Sequence, residues 1–421
     1  MAMSRKNILI LGGSYGGLSS AHYILKHVIP QLPDREVFQV ILISPSSQVF
    51  CRPACPRAML SDHMFPQDKL FVDIEAQFLQ YSNGANFQFI QGTAAHLDLI
   101  QRIITAKVES TNSTLGISFH SLVIATGAST PSPLLGLITD ENLLRDCWSS
   151  LRKRLPEVKN IIISGGGPTS IEVAGELGEF LNGRPGIFNS SPSSPRVNIT
   201  VITSNSKILP SLRQAIADKA EKLLAGVGVT VIKNARVKTI VPAGAGVDPQ
   251  LLTSKATIVL ENGKVMDTDL YIPATGTTPN TGFISDKSLL TSDGRIDTNP
   301  STLRVDGAGP NARIYAIGDA SSYARPAIHN ILSAVPVLCA SVRDDLVSEG
   351  GRLESLAVGG GRLFVEDKRE TQLVPIGRSR GVGAAMRFQI PGFLVWMLKW
   401  RDYWLWTTGS LWNGKKWDKE S

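Results

Sequence analysis

The chain has 421 residues, enough to bury the cores of two or three domains. With 43% hydrophobic and 19% charged residues it is not a wholly disordered chain, and no apolar run reaches the roughly 18 residues of a membrane span. A formal charge of +7 fits anionic cofactors or an anionic membrane surface, while no basic run interleaved with aromatics points to nucleic acid.

The N-terminus leads into an apolar strand with no signal-peptide pattern, and Ala2 stands where N-myristoylation needs glycine, so a cytoplasmic location is expected. Ile8 to Leu11 read as a buried parallel strand, followed by a glycine-rich turn and small residues opening a helix. In such a turn Gly12 permits the reversal and Gly17 lets the helix pack on the strand, while Gly13, Ser14, Tyr15 and Gly16 lie where a pyrophosphate approaches. Ser14 replaces a glycine of the usual fingerprint, and its hydroxyl can donate to a phosphate oxygen. Taken alone, the loop is either a phosphate cradle or a plain tight turn.

Glu36 to Ser44 read as the next strand, ending in Ser44 where a dinucleotide site usually carries an acid for the ribose hydroxyls; serine is a weaker contact. Cys51 and Cys55 follow, separated by Arg-Pro-Ala, with Pro53 and Pro56 resisting a helix. Together with Cys147 and Cys339 they are too few and scattered for a disulfide framework, and we read the pair as incidental thiols rather than a redox couple. Phe87 to Phe119 alternate as a β-meander leading to a strand and turn at Leu122 to Thr130, with Gly127.

Asn160 to Gly178 then repeat strand, glycine turn and helix, with Gly165 and Gly167 in register and Thr169 and Ser170 opening the helix. Two copies in one chain imply an α/β protein with two dinucleotide sites. Glu172 falls near the helix start, either favoured there by the helix dipole or placed for chemistry. Gly183 to Asn198 form a Pro/Gly/Ser-rich surface loop. Val197 to Asn205 supply another strand ending in Thr203 and Ser204 rather than an acid, with Lys207 beyond, so NADPH fits at least as well as NADH. A helix over Leu212 to Leu224 follows, then apolar strands turning at Gly276 and at Gly318-Asp319. A last helix starts near Arg325, and its His329 reads as a packing residue. Six of the seven tryptophans lie beyond residue 395. Trp396, Trp400 and Trp404 share a face if their segment is helical, either an interfacial membrane contact or an internally packed helix.

This set of motifs resembles the flavin-dependent pyridine-nucleotide reductases, of glutathione-reductase-like fold. Gln372 to Ala384 and Leu398 to Trp406 resemble the apoptosis-inducing-factor-like branch, which includes ferroptosis-suppressing quinone reductases. The resemblance implies two Rossmann-like domains, the FAD domain at 1–130 and 281–345, the NAD(P)H domain inserted at 131–280, and a small α+β C-terminal region at 346–421. It also implies that Asp319 binds the ribityl chain of FAD, that Arg57 and the backbone of Ala94 contact FAD, and that Glu172 lies beside the nicotinamide as the catalytic candidate. The expected activity is hydride transfer from NADH or NADPH through FAD to a small acceptor, foremost a quinone. Alternatives are a specialised aromatic polyketide substrate, a thiol or disulfide reductase, and a redox-gated binding protein. A homodimer and peripheral membrane contact are conceivable partners; no metal cluster is expected.

Overall fold

The computed structural model describes residues 5–81, 86–109, 111–183, 195–309, 311–348, 362–378 and 380–420. The stretch 184–194, within the expected surface loop, lies outside them.

Strand β1 (Lys6–Leu11) buries Ile8 to Leu11 on both faces, as a central parallel strand must. It turns into helix α1 (Tyr15–Tyr23), and β2 (Phe38–Ser44) pairs beside it in parallel. β3 (Phe87–Asp98), β4 (Ile103–Val108) and β5 (Ser113–Ser118) form the expected antiparallel meander, and β6 (Ser121–Ile124) returns to the other side of β1. Helix α2 (Glu141–Arg154) then leads to a second sheet. There β7 (Asn160–Ser164), helix α3 (Pro168–Asn182), β8 (Asn198–Ile202), helix α4 (Gln214–Ala225) and β9 (Val229–Ile232) repeat the opening pattern. An antiparallel trio of β10 (Val237–Val241), β11 (Ala256–Leu260) and β12 (Val265–Thr268) precedes β13 (Leu270–Pro273), which pairs with β7.

β14 (Ile314–Ala316) re-enters the first sheet, whose order is β14-β6-β1-β2-β3-β4-β5; the second sheet runs β9-β8-β7-β13. Each glycine turn thus leaves the C-terminal end of a central strand, where open α/β sheets bind ligands. The two passages between the sheets are tied together: Asn280 N donates to Gly127 O at 3.0 Å, Asn280 Nδ2 to Thr126 O at 2.9 Å, and Thr126 Oγ1 to Asn280 O at 2.8 Å.

Helix α5 (Ile328–Ser348) packs against α1 over one face of the first sheet. His329 is exposed on its first turn, not packed as expected, because the buried stripe of α5 begins at Asn330 and Ile331. The C-terminal segment adds β15 (Gln372–Ile376), β16 (Arg380–Ala385) and β17 (Phe388–Gln389), whose Val374, Ile376, Val382 and Ala384 join the core beneath the second sheet.

Trp404 does not continue the helix that carries Trp396. The helical run that begins at Gly392 ends after Trp400, and Tyr403 and Trp404 both take left-handed backbone conformations, with φ of 52° and 66°. Helix α6 (Leu405–Trp412) starts afresh from there. Trp396 and Trp406 are exposed, as are Phe388, Phe393, Met397 and Leu398, whereas Trp412 and Trp417 are buried against the N-terminal half, Trp412 with its ring 4.7 Å from that of Tyr15.

Candidate active site

The two glycine turns open onto one cleft of about 920 Å³. Gly12 has φ +113°, and a Cβ there would stand 2.2 Å from Ala125 O; Gly165 has φ +127°, and its Cβ would stand 2.1 Å from Ala274 O. Both positions therefore demand glycine, for conformation and for space. After each turn a helix starts with no side-chain cap on its first N–H groups, at Ser14 and at Gly167, leaving donors and the positive dipole end to a ligand. Gly167 and Gly276 line the cleft, and a Cβ on either would meet no protein atom within 4 Å, so it would project into the ligand's space. These features fit a dinucleotide at each end.

Of the residues expected from the sequence, Gly12, Gly13, Ser14, Tyr15, Gly16, Ser44, Gly127, Gly165, Gly167, Thr169, Glu172, Ser204, Gly276, Gly318 and Asp319 all line this cleft. Gly17 does not, but it plays the expected packing part: a Cβ there would lie 1.7 Å from Gly12 O. Ala94 sits in β3, paired with Ala106 of β4, and is not among the residues that line the cleft. One expectation is corrected. Arg57 is buried, with Nη2 2.7 Å from Glu176 Oε1 and its guanidinium 4.9 Å from the Tyr403 ring centroid, so it cannot reach a cofactor in the cleft. From this segment the arginine that lines the cleft is instead Arg52, whose Nη1 donates to Ala128 O at 3.0 Å and lies 3.9 Å from Asp319 Oδ2. Both arginines lie in one short helical segment, Arg52–Ala54 and Cys55–Ala58, which forms despite Pro53 and Pro56 because each proline sits in the first turn, and only the fold separates the two side chains.

Between the two cradles stands a pair of charges. Lys399 Nζ donates to Glu172 Oε1 at 2.6 Å, and both residues are buried at the cleft wall. Four residues on, Tyr403 Oη donates to Glu176 Oε1 at 2.9 Å, completing a second rung between α3 and the C-terminal segment. Burial pushes the Glu172 carboxyl above its ordinary value, and the Lys399 ammonium opposes that shift. Sequence reasoning missed Lys399, Tyr403 and Glu176; the four-residue spacing in each segment was legible, but not which segment faced which. Tyr403 is fully buried, and its neighbour Trp404 is thereby set into the cleft wall.

The thiols are poor redox candidates. All four cysteines are free and buried; burial pushes Cys51 up to about 11 and raises Cys55 too, whose Sγ donates to Leu134 O at 2.9 Å. A thiol held protonated is a weak nucleophile. Among the described residues no cluster of metal-ligating side chains occurs.

Comparison with known proteins agrees with this geometry. Residues 6–336 match the family described as pyridine nucleotide-disulphide oxidoreductase. The chain is 57% identical over 420 residues to oxidoreductase phnG of Penicillium herquei, covering 100% of this chain and 99% of that one. It is 25% identical over 418 residues to apoptosis-inducing factor 1 of Saccharomyces cerevisiae, with 94% and 95% covered. The solved structure of NDH2 from Plasmodium falciparum in complex with NADH shares the fold, with a TM-score of 0.63 at 16% identity over 98% of both chains. A chain that repeats its dinucleotide cradle, joins both across one cleft and matches the profile over residues 6–336 belongs to the pyridine nucleotide-disulphide oxidoreductase family, whose FAD and NAD(P)H these cradles fit.

Proposed function

We propose that the protein is an NAD(P)H:quinone oxidoreductase, with FAD held in the first cradle and the reduced nicotinamide in the second. The observation that carries this reading is the single cleft, which runs from Gly12 to Gly165 with Glu172 and Lys399 in its wall. Bound FAD supplies the chemistry of accepting a hydride from NAD(P)H and releasing two electrons to an acceptor.

The chain's own residues bind, orient and exclude water. The free N–H groups that open α1 and α3 take the phosphates, and Asp319 accepts from hydroxyls of the flavin's sugar-alcohol chain. The Arg52 guanidinium, 3.9 Å away, sets a positive charge beside the Asp319 carboxylate at the cleft. Glu172 is oriented by Lys399 to accept from the amide N–H of the nicotinamide carboxamide, which fixes the ring in the cleft. Trp404 closes the wall beside Lys399 and presents an apolar aromatic surface to a planar acceptor.

A small diffusible acceptor is favoured over a dithiol because Cys51 and Cys55 are buried thiols rather than an exposed pair. The exposed group of Phe388, Phe393, Trp396, Met397, Leu398 and Trp406 supports peripheral contact with a lipid surface, from which a lipophilic quinone enters. Among the described residues no helix is long and apolar enough to cross a membrane. The test is a visible spectrum of the purified protein followed by NADH and NADPH oxidation with simple quinones, isoprenoid quinones and aromatic polyketide quinones. Turnover with the polyketide class alone replaces the general reading by a specialised one; no turnover with any quinone removes it. Liposome co-sedimentation of the full chain, against its Phe393→Glu/Trp396→Glu variant, tests the lipid contact.

A further inference from the structure

We propose that Arg236 receives the 2′-phosphate of NADPH at the adenosine end of the second cradle, making NADPH the preferred reductant. This rests on the reading that the second cradle takes a reduced nicotinamide dinucleotide.

The end of β8 decides which ribose a dinucleotide cradle accepts, because an acid there bonds the 2′-hydroxyl and repels a 2′-phosphate. Here the residues beyond β8 are Thr203, Ser204 and Asn205, all lining the cleft, and none carries charge. Thr203 lies directly against the glycine turn: a Cβ on Gly166 would stand 2.4 Å from its Oγ1. The two acids that do line the cleft, Glu172 and Asp319, are held elsewhere by Lys399 and Arg52.

The segment after β9 brings Arg236 to this spot. Ala235 N donates to Thr203 O at 3.0 Å and Asn234 N to Asn205 O at 3.1 Å, so the backbone carrying Arg236 is fastened to the uncharged turn. Arg236 lines the cleft together with Ala235 and Val237.

Other cations nearby are engaged. Lys207, expected from the sequence to face the ribose, turns its ammonium onto Leu212 O, and Lys233 lies 3.1 Å from Glu221. Of the three cations lining the cleft among the described residues, Arg52 and Lys399 serve Asp319 and Glu172, which leaves Arg236 for the ribose. Its closest acid is Glu261 at 3.7 Å, with both side chains mostly exposed. An exposed pair of that length contributes little and yields readily to a dianion. A guanidinium offers a phosphate two parallel donors, and the Ser204 hydroxyl and Asn205 amide stand ready to supply more.

The test measures binding of 2′,5′-ADP and 5′-AMP to the flavin-loaded protein by calorimetry, so it does not depend on turnover or on the acceptor. The wild type is expected to bind 2′,5′-ADP at least about tenfold more tightly than 5′-AMP, a gain typical of charge-assisted bidentate contacts. Arg236→Gln should abolish that difference and leave 5′-AMP affinity unchanged, and Ser204→Asp should invert it. Equal binding of the two nucleotides by the wild type, or a preference that survives in Arg236→Gln, overturns the proposal while leaving the second cradle's assignment standing. Failure of both nucleotides to bind overturns that assignment itself.

Discussion

Lys399 Nζ lies 2.6 Å from Glu172 Oε1, a contact between two buried charges 227 positions apart in the chain. It fastens the C-terminal segment to the helix that follows the second glycine turn, so the wall of the active cleft is completed by residues outside both dinucleotide-binding repeats.

Removing one charge of this pair strands the other. Lys399→Met is expected to cost about 3–5 kcal/mol of stability. Glu172 titrates above its ordinary 4.5 in the folded protein, so its contribution to stability is fully present below that value and is lost as pH rises through the folded pKa. Without Lys399 the carboxyl shifts further up, and the variant should lose stability more steeply between pH 5 and pH 8 than the wild type. Urea titrations at the two pH values read this directly, and Glu172→Gln in the same background should remove the slope.

Arg57 tests whether the buried ladder is structural. Its guanidinium is held by Glu176 beneath the cleft, so Arg57→Met should destabilise by about 3–5 kcal/mol. Pairing it with Glu176→Gln should recover most of that loss. The folded fraction of either variant should keep its full flavin complement; a folded Arg57→Met protein purified colourless would restore the arginine to the cofactor.

The glycines separate the two cradles. Gly12→Ala forces a Cβ toward Ala125 O in a left-handed backbone, a strain of about 1–3 kcal/mol, and should yield protein depleted of flavin. Gly167 has φ −81° and open space ahead of it, so Gly167→Ala should keep flavin and stability but raise KM for the reduced nicotinamide. Absorbance at the flavin band and a KM determination distinguish the two outcomes.

Acid should loosen the contact between α1 and the C-terminus. His22 is buried, with Nδ1 2.9 Å from Tyr81 Oη and Nε2 2.7 Å from Trp412 O, and burial lowers its pKa to about 4. The unfolded chain binds the proton more readily, so stability present above pH 6.5 is lost as pH falls toward 4, by up to about 3 kcal/mol. Denaturation midpoints at pH 7 and pH 5 measure the loss, and His22→Gln should flatten the dependence.

The Cys51→Ser/Cys55→Ser variant should retain quinone-linked turnover within about twofold, because the burial that keeps both thiols protonated also keeps them out of thiolate chemistry. A collapse of turnover in a variant that still melts cooperatively and holds flavin would reinstate the pair as an electron relay.

Much of the cleft is legible in the sequence alone. Gly12, Gly165 and Gly318 announce themselves because turns with positive φ leave few residue choices, and the apolar runs before them are too uniform to be anything but central strands. Arg57 misled because position along a motif does not say which way a side chain points: Arg52 and Arg57 share one short helical segment, and only the first faces the cleft. The aromatic C-terminus misled for a related reason. A spacing of four implies a common face only while one helix continues, and Tyr403 and Trp404 break it with left-handed backbones.

By itself the sequence determined the two phosphate cradles and the strand-turn-helix order around each, since these depend on local backbone geometry and on periodic apolar patterns. Only the tertiary structure decided which charges meet: Lys399 with Glu172, Arg57 and Tyr403 with Glu176, Arg52 with Asp319. Such pairs span from 119 to 267 positions of chain, and their partners are selected by how sheets, helices and the C-terminal segment pack, a long-range outcome for which no local pattern codes.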